Sequence, residues 1–472
     1  MGDLAAPSED VPQSGRQRHD AAGWPEENLG GKACRSAQRQ AQLTSQGTVG
    51  GTCSSFGKGG DTMTTIMTAD EVLHELFATP QGHADPYPRY RLLLEQAPFH
   101  YSGLDNLWYA SRYRACRQVL LDPRFGHDPE RQLRRPGLSE AQLRRFERRR
   151  RRGFSMVTEN PPEHTRLRGL ARHAFTPRRI EALRSRIAEL TDIFLDRMAD
   201  LRWVDVMAEL AFPLPVSVIG ELVGVPAEDR ERFRPLVRDG MLADQSVASD
   251  EDLERAERAS QEMEAFFVDL ITQRRARPAQ DLLSDLIKVR DDEGRLSEEE
   301  LVATVSLLFF AGFVTTTNLI GNGLLALLQH PAELARLWAD GDLVVTAAEE
   351  MLRYDSPVQF LIRTALEPVK VEGVQLERDQ SVIALVGAAN RDPERFANPD
   401  RFDIGRGDNH PLSFGAGIHH CLGAPLARLE GQVVFGRLRE RFASVELLDD
   451  NPARTSGFLR GLRSLPVRLQ PR

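Results

Sequence analysis

The segment from residue 298 to residue 329 constrains the fold more than any other, because it predicts one long and mostly apolar helix. It contains the longest apolar stretch of the chain, LVATVSLLFFAGFV, from Leu301 to Val314. This stretch is shorter than the roughly 20 residues that a helix needs to cross a bilayer, and it includes hydroxyl side chains. We therefore expect a buried core helix and no membrane anchor.

Helical patterns dominate the chain from about residue 68 onward, whereas strand patterns are short. Further helices are predicted at 85–96, 162–175, 177–199, 251–276, 279–289, 343–354 and from 422 to about 442, and hairpins at 99–110 and 370–386. No internal repeat is visible. The predicted fold class is therefore mainly α with small peripheral β-sheets, in one large domain that spans residues 63–472.

Residues 1–62 have a different composition, rich in Gly, Ser, Gln and scattered charge, without an apolar period. Such a segment buries too little surface to offset the entropy cost of ordering it, so we expect a disordered or non-native N-terminal extension. Met63 and Met67 stand where the composition changes. The segment has no apolar signal-peptide core, and we assign no role to its cysteines, Cys34 and Cys53.

Charge and cysteine content exclude several classes of protein. The chain has 61 Lys and Arg against 69 Asp and Glu, a formal net charge of −8, which gives no reason to expect a nucleic-acid partner. Four cysteines in 472 residues cannot form a disulfide framework. Together with the missing secretion signal, they predict a cytoplasmic protein.

One short loop, FGAGIHHCLG from Phe414 to Gly423, carries the strongest chemical signal. Gly415 and Gly417 permit positive φ and a close approach of the backbone to a flat ligand. Cys421 follows at the predicted start of a helix, where free N–H groups and the helix dipole favour a thiolate. Gly423 removes bulk from the first turn, so that a large ligand can lie across it.

The loop alone leaves three interpretations open. The simplest is a buried structural cysteine. A zinc site of His419, His420 and Cys421 is disfavoured, because adjacent residues point in divergent directions and the usual ligand spacing is absent. A catalytic nucleophile needs a base, and nothing in the loop decides for or against one.

The loop resembles the heme-binding loop of the cytochrome P-450 superfamily, of the soluble bacterial type. The resemblance implies one heme-enclosing cytochrome P-450 domain, with heme b (iron protoporphyrin IX) as cofactor and Cys421 as its axial thiolate ligand. It also places Phe414, Gly415 and Gly423 at the cofactor. His420 has no counterpart in the family pattern.

The motif EEMLRYDSP places Glu350 and Arg353 three residues apart, on one face of a predicted helix. An exposed pair of this kind is common and contributes little to stability. The resemblance implies instead the ExxR pair of the family, which an arginine before the cysteine loop completes. We expect Arg401 to be that arginine and the three residues to have a structural role.

The motif NPPEHTRLRGLARHAF resembles the DPPEHxRLR helix of the family, with Asn160 in place of the usual Asp. Two of its residues, His164 and Arg168, are four apart on one face, which by itself also fits two solvated side chains. By the resemblance, His164, Arg168, Arg363 and His419 bind the heme propionates. Four donors for two carboxylates are chemically sensible.

The motif AGFVTTTN, from Ala311 to Asn318, places a glycine and several threonines inside the predicted core helix, where they are poor helix formers. Threonine hydroxyls bonded to the preceding turn can open a helix locally, which would explain them without a function. The resemblance instead implies the oxygen-binding groove of the family, A-G-x-(D/E)-T. Thr315 then makes the catalytic contact with oxygen, and Ala311 and Gly312 leave room for substrate and oxygen.

Val314 departs from this pattern. The family usually has Asp or Glu there, which relays protons, and valine can neither carry nor donate a proton. Three accounts remain: a substrate hydroxyl relays the protons, an ordered water chain does so, or the enzyme uses peroxide. We favour the first two because Thr315 is retained.

Family positions that line the substrate pocket are mostly apolar here, which predicts a hydrophobic small-molecule substrate. They fall at 123–157, 203–245, Phe313 and Val314, 358–362 and 458–459. An arginine run within 144–152 predicts a solvated face or, alternatively, a site for an anionic substrate or a carrier-protein phosphopantetheine.

The resemblance implies a heme-thiolate monooxygenase that hydroxylates or epoxidises a substrate of bacterial secondary-metabolite biosynthesis, such as a polyketide, macrolide or terpenoid. The chain has no flavin or nicotinamide domain, so the implied electron donors are ferredoxin and ferredoxin reductase. Arg166, Arg172 and Arg428 are candidate residues for docking the donor. A peroxide-using enzyme and a non-catalytic heme sensor or carrier are the alternatives.

Overall fold

The computed structural model describes residues 67–128, 147, 155–244, 248–293, 296–455 and 457–472. These residues belong to one compact unit of the chain, Ile66–Arg472. The predicted N-terminal extension, residues 1–62, and the arginines of the 144–152 run lie outside the described residues.

Helices make up most of the described chain, as the sequence predicts. In chain order they are α1 Ala69–Ala78, α2 Pro80–Ala84, α3 Tyr87–Gln96, α4 Tyr113–Leu121, α5 Glu163–Ala171, α6 Pro177–Ala182, α7 Arg184–Ala199, α8 Pro213–Val223, α9 Phe233–Gly240, α10 Asp250–Ala276, α11 Leu282–Glu293, α12 Glu298–Gln329, α13 Pro331–Ala339, α14 Val344–Tyr354, α15 Val386–Ala389 and α16 Ala424–Arg441. The predicted helix 177–199 is divided into α6 and α7 at Leu183.

The long helix α12 is the centre of the fold. The Ser297 hydroxyl accepts a hydrogen bond from the Glu300 N–H, and the Glu300 carboxylate accepts one from the Ser297 N–H, so the helix begins with a capping box. Helices α8, α10, α14 and α16 pack around it. It is the one described helix that is long and apolar enough to cross a membrane, and the fold buries 61% of its apolar window. The predicted core helix is confirmed.

Three small sheets complete the fold. The strands are β1 Phe99–Ser102, β2 Leu107–Ala110, β3 Phe125–Gly126, β4 Val204–Asp205, β5 Leu361–Ala365, β6 Val369–Val371, β7 Val374–Leu376, β8 Ser381–Ala384, β9 Phe442–Leu447 and β10 Pro466–Pro471. Their orders are β1-β2-β8-β5-β3, β4-β10-β9 and β6-β7. The predicted hairpin at 99–110 is present, with Phe99 opposite Ala110.

The second predicted hairpin, 370–386, is wrong in extent. The observed hairpin is β6–β7, and Glu372 and Gly373 close it with φ of 50° and 80°, as in a tight two-residue turn. Strand β8 lies beyond this hairpin and pairs parallel to β2 and antiparallel to β5. Because one partner of β8 is distant in sequence, local alternation did not identify this pairing.

Candidate active site

Cys421 lies between a 3₁₀ turn, Gly417–His419, and the start of α16. Its N–H donates to the Phe414 carbonyl oxygen at 2.9 Å, which closes the loop. The Ala424 N–H, in the first turn of α16, donates to the Cys421 carbonyl oxygen at 3.4 Å. The thiol therefore lies just before a helix N-terminus, as predicted, and its side chain is exposed.

Two glycines of this loop are required by its backbone. The φ angle is 68° at Gly415 and 72° at Gly417, in the left-handed region that favours glycine. A Cβ on Gly417 would also lie 2.4 Å from the Leu120 carbonyl oxygen. Gly423 has an ordinary φ of −81°, and a Cβ there would lie 3.9 Å from the Cys421 sulfur, so its missing side chain leaves space beside the thiol.

The surroundings of Cys421 shift the pKa of its thiol in opposite directions. Desolvation by the protein atoms around it raises the pKa, whereas the N–H groups of Gly423 and Ala424 and the charges of Arg168 and Arg428 lower it. The pKa is raised on balance, so a positive charge at the sulfur would be needed to favour the thiolate.

The protein offers few ligands to a metal at this thiol. In the part of the chain that the structure describes, no group of three or more His, Cys, Asp or Glu side chains could hold a metal ion. The zinc site that the sequence disfavoured is therefore not formed. A metal bound by Cys421 would take its other ligands from a cofactor.

Two imidazole and two guanidinium groups, buried or half-buried, converge beside the loop. His164 on α5 is 3% exposed, and its ring centroid lies 4.2 Å from that of His419. Both nitrogens of His164 and Nε2 of His419 are buried, and none of them has a hydrogen-bond partner in the part of the chain that the structure describes. Arg363 on β5 is 7% exposed and donates to the carbonyl oxygen of the residue before it. Arg168 donates to the His420 carbonyl oxygen at 2.6 Å.

This cluster is positive and has no counter-ion among the described residues. Burial lowers the pKa of Arg363 to about 10. Burial and the charge of Arg363 lower the pKa of His419 to about 3, so its imidazole is neutral without an anion beside it. Buried polar groups are almost always hydrogen-bonded, so the donor set fits an acidic group from outside the chain. The structure thus brings together the four side chains predicted to bind the propionates.

Glu350 and Arg353 on α14 are fully buried, both 0% exposed. Two nitrogens of Arg353 donate to the two oxygens of Glu350, each at 2.8 Å. The third donates to the Asn390 and Pro399 carbonyl oxygens, which lie in the segment before the cysteine loop. The predicted pair is formed, and it ties α14 to that segment.

The prediction that Arg401 completes this pair is wrong. The Arg401 side chain is exposed, and only its carbonyl oxygen takes part, as an acceptor at 3.1 Å from the buried arginine. Arg406 supplies the guanidinium instead, with Nε 3.1 Å from Glu350 Oε2. The Asp403 N–H and the Asn409 amide donate to the same carboxylate. The segment contains several arginines, and only the folded loop decides which one reaches Glu350.

The open side of α12 lies at Ala311, which is exposed, and Thr315, which is half-buried one turn later. The Thr315 hydroxyl donates to the Ala311 carbonyl oxygen at 3.1 Å, and the helix continues unbroken through this turn. The turn from Ala311 to Thr315 therefore has one open side, although most of the helix is buried. Gly312 does not leave room there, in contrast to the prediction, because a Cβ on it would lie 2.6 Å from the Ile219 side chain on α8.

The predicted pocket wall is only partly observed. Phe313 and Val314 are buried in the core, at 0% and 5% exposed, and border almost no open space. Phe313 packs against Phe309, with ring centroids 5.3 Å apart. Half-buried apolar side chains among the predicted positions include Val358, Phe360, Leu361, Ile362 and Phe458. Most of the 123–157 loop lies outside the described residues.

Two of the three predicted docking arginines are engaged in ion pairs. Arg166 pairs with Glu300 at the start of α12, and Arg428 pairs with Glu349. Arg172 is exposed. The positive charge expected at Arg166 and Arg428 is therefore largely neutralised.

His127, which the sequence did not single out, also lies against the cluster. Its ring centroid is 4.7 Å from that of His419. The Asn160 side chain accepts from the His127 N–H at 2.9 Å and donates to the His127 carbonyl oxygen at 2.7 Å. An amide can make both bonds, whereas an ionised Asp can only accept, which accounts for Asn at this position. No local pattern links these residues to the cysteine loop.

Comparisons with known proteins point to one family. The family profile described as "Cytochrome P450" matches residues 240–466. "Cytochrome P450 107B1" of Saccharopolyspora erythraea is 43% identical over 417 residues, which are 85% of this chain and 99% of that protein. "Polyketide biosynthesis cytochrome P450 PksS" of Bacillus subtilis is 38% identical over 413 residues, 84% of this chain and 100% of that protein. The solved structure "P450BioI in complex with hexadec-9Z-enoic acid ligated Acyl Carrier Protein" is similar with a TM-score of 0.75 and 36% identity, over 83% of this chain and 100% of that one.

Proposed function

The chain belongs to the cytochrome P450 family and is a cytochrome P450 monooxygenase, and we propose that it hydroxylates or epoxidises a hydrophobic small molecule with one oxygen atom from O₂. The observation that carries this proposal is the convergence of one thiol, Cys421, with a buried set of unpartnered nitrogen donors. The thiol suits an iron ligand, and the donors suit the carboxylates of the same cofactor.

The cofactor of the family is heme, and we propose heme b. The sequence contains no C-x-x-C-H motif, which covalent attachment of a c-type heme would use. Cys421 would bind the iron. The propionates would be held by His164, Arg168, Arg363 and His419, and the ring would lie against Phe414, Gly415 and Gly423.

A heme held by a cysteine thiolate supplies the activation of O₂ and the cleavage of its O–O bond. The chain supplies the surroundings. We assign the oxygen contact to the hydroxyl of Thr315, which sits at the open turn of α12 on the Ala311 carbonyl oxygen. Val314 is buried and cannot carry a proton, so protons reach Thr315 through the open turn, from a substrate hydroxyl or from water.

The substrate that we propose is a polyketide, macrolide or terpenoid of bacterial secondary metabolism. Half-buried apolar side chains such as Val358, Ile362 and Phe458 support a hydrophobic substrate. Two of the similar proteins are named for polyketide biosynthesis and for a complex with an acyl carrier protein. We therefore include a carrier-bound substrate in the proposal.

We propose a cytoplasmic ferredoxin and its reductase as electron donors. Arg172 and Arg178 are exposed and make no ion pair with another described residue, in contrast to Arg166 and Arg428. Ile418, beside the cysteine loop, is 51% exposed. An acidic protein with an apolar contact residue would fit such a surface.

The first test is the absorption spectrum of the purified, reduced protein under carbon monoxide. We expect the far-shifted Soret band of sulfur-coordinated heme, and we expect Cys421→Ala to abolish it. A library of hydrophobic compounds is then screened for the change in spin state that substrate binding causes, and hits are incubated with ferredoxin, reductase and NAD(P)H. Product formed with peroxide alone would indicate a peroxygenase, and no product with either system would indicate a heme sensor or carrier.

A further inference from the structure

His127 reaches the donor cluster from a segment that contains none of the family motifs. Its Nε2 is buried and has no hydrogen-bond partner among the described residues, like both nitrogens of His164 and Nε2 of His419. The His419 ring lies between the other two, with centroids 4.7 Å from His127 and 4.2 Å from His164. Three imidazoles that pack together and leave these buried nitrogens unpaired among the described residues call for a hydrogen-bond partner from elsewhere.

The backbone around His127 is fixed by two independent contacts. Gly126 on β3 is paired with Thr364 on β5, and the antiparallel register therefore brings His127 next to Arg363. The Asn160 amide binds both the N–H and the carbonyl oxygen of His127. A Cβ on Gly126 would lie 2.3 Å from the Asn160 Oδ1, so the small residue makes room for this amide.

We propose that His127 is an additional hydrogen-bond donor to the carboxylates of the cofactor and that Asn160 is the residue that positions it. This inference rests on the proposed function. Each carboxylate has about four acceptor sites, so two carboxylates can accept from five side chains. His127 Nε2 would donate as a neutral imidazole, and no change of its charge is required.

The test compares two substitutions of His127 in the heme-loaded protein. His127→Gln keeps a donor nitrogen in nearly the same place, whereas His127→Leu keeps the bulk and removes the donor. The rate of heme transfer to excess apomyoglobin is measured. We expect His127→Leu to lose heme about tenfold faster than wild type, as for loss of one hydrogen bond to a charged group, and His127→Gln to stay near the wild-type rate. Equal rates for the two variants would overturn the inference, and His173→Leu, at an exposed histidine, is the control.

Two further measurements separate a donor from a packing residue. Reconstitution with heme dimethyl ester, which lacks charged carboxylates, should abolish the difference between wild type and His127→Leu. Asn160→Asp, which cannot donate to the His127 carbonyl oxygen, should speed heme loss in the wild-type background and not in His127→Leu. Additive effects would contradict the positioning role. If His127→Leu does not fold, Asn160→Asp alone carries the test, with His127 intact, and a wild-type rate in it overturns the inference.

A failure of the proposed role of His127 can be distinguished from a failure of the proposed function. A wild-type protein without the carbon monoxide band of sulfur-coordinated heme would refute that function. A wild-type protein with the band, and an unchanged rate of heme loss in His127→Leu, would refute only the role of His127.

Discussion

The buried Glu350 carboxylate allows a sharp prediction about two nearby arginines. The sequence predicted that Arg401 contacts Glu350, whereas in the structure Arg406 does so. Arg406→Leu removes the Nε bond to the buried Glu350 carboxylate and the bonds to the Ala397 and Arg401 carbonyl oxygens. Arg401→Leu removes an exposed side chain and leaves its carbonyl oxygen in place. The two variants therefore differ in the network alone.

The expected loss of unfolding free energy depends on which contacts of Glu350 remain in each variant. Arg353 still pairs with Glu350 after Arg406→Leu, and the lost bonds to carbonyl oxygens are exposed and contribute little, so the cost is mainly that of one bond to a charged group, about 2–3 kcal/mol. Glu350→Gln should cost about 3–5 kcal/mol, because it leaves two buried guanidinium groups without their carboxylate. Arg401→Leu should stay within about 0.5 kcal/mol of wild type.

Thermal unfolding followed by circular dichroism measures the difference. For a folded unit of this size, about 2–3 kcal/mol corresponds to a fall in the midpoint of about 2–4 °C. The carbon monoxide spectrum gives a second readout, since a loosened cysteine loop should convert part of the heme to a form without the sulfur-coordinated band. A loss for Arg401→Leu as large as that for Arg406→Leu would refute the assignment.

Three other predictions follow from single positions. Burial raises the pKa of Glu430 well above its ordinary value of 4.5, so the folded chain binds this proton more tightly than the unfolded chain does. The stability of the fold therefore falls as pH rises above about 4.5. Glu430→Gln should raise the unfolding midpoint at pH 8 more than at pH 5, and equal shifts at the two pH values would contradict this. Gly417→Ala places a Cβ against the Leu120 carbonyl oxygen at a residue with positive φ, so it should lower the fraction of protein that is loaded with heme. The ratio of Soret absorbance to protein absorbance measures this fraction, and an unchanged ratio would argue against strain in the loop. Thr315→Val should lower the share of reducing equivalents that enters product. Thr316→Val should not, because the Thr316 side chain is buried and its hydroxyl donates to the Gly312 carbonyl oxygen; equal coupling in both variants would contradict the role of Thr315.

The parts of the fold that the sequence predicted are those determined by neighbouring residues. The core helix has a capping box at Ser297 and a continuous apolar pattern, and its predicted bounds agree with the structure. The loop at Cys421 is also local, since its glycines and its helix start lie within ten residues. The fully buried Glu350–Arg353 pair is three residues apart on one helix and was likewise visible.

The parts that the sequence missed depend on contacts between distant segments. Arg401 and Arg406 are both arginines of the same segment, and only the path of the folded backbone places Arg406 against Glu350. Gly312 was expected to make room for a ligand, and the approach of Ile219 from another helix shows that it makes room for packing. His127 has no motif around it, and only the pairing of β3 with β5 brings it to the cluster.

The Glu300 carboxylate makes two contacts that hold separate helices in place. It closes the capping box at the start of α12, and it binds Arg166 on the helix that also carries His164. The same side chain thus fixes the start of the longest helix and holds the helix that carries His164 against it. An insertion between Ser297 and Glu300 would break the capping box, and a substitution of Glu300 would remove the cap and the ion pair with Arg166 at once.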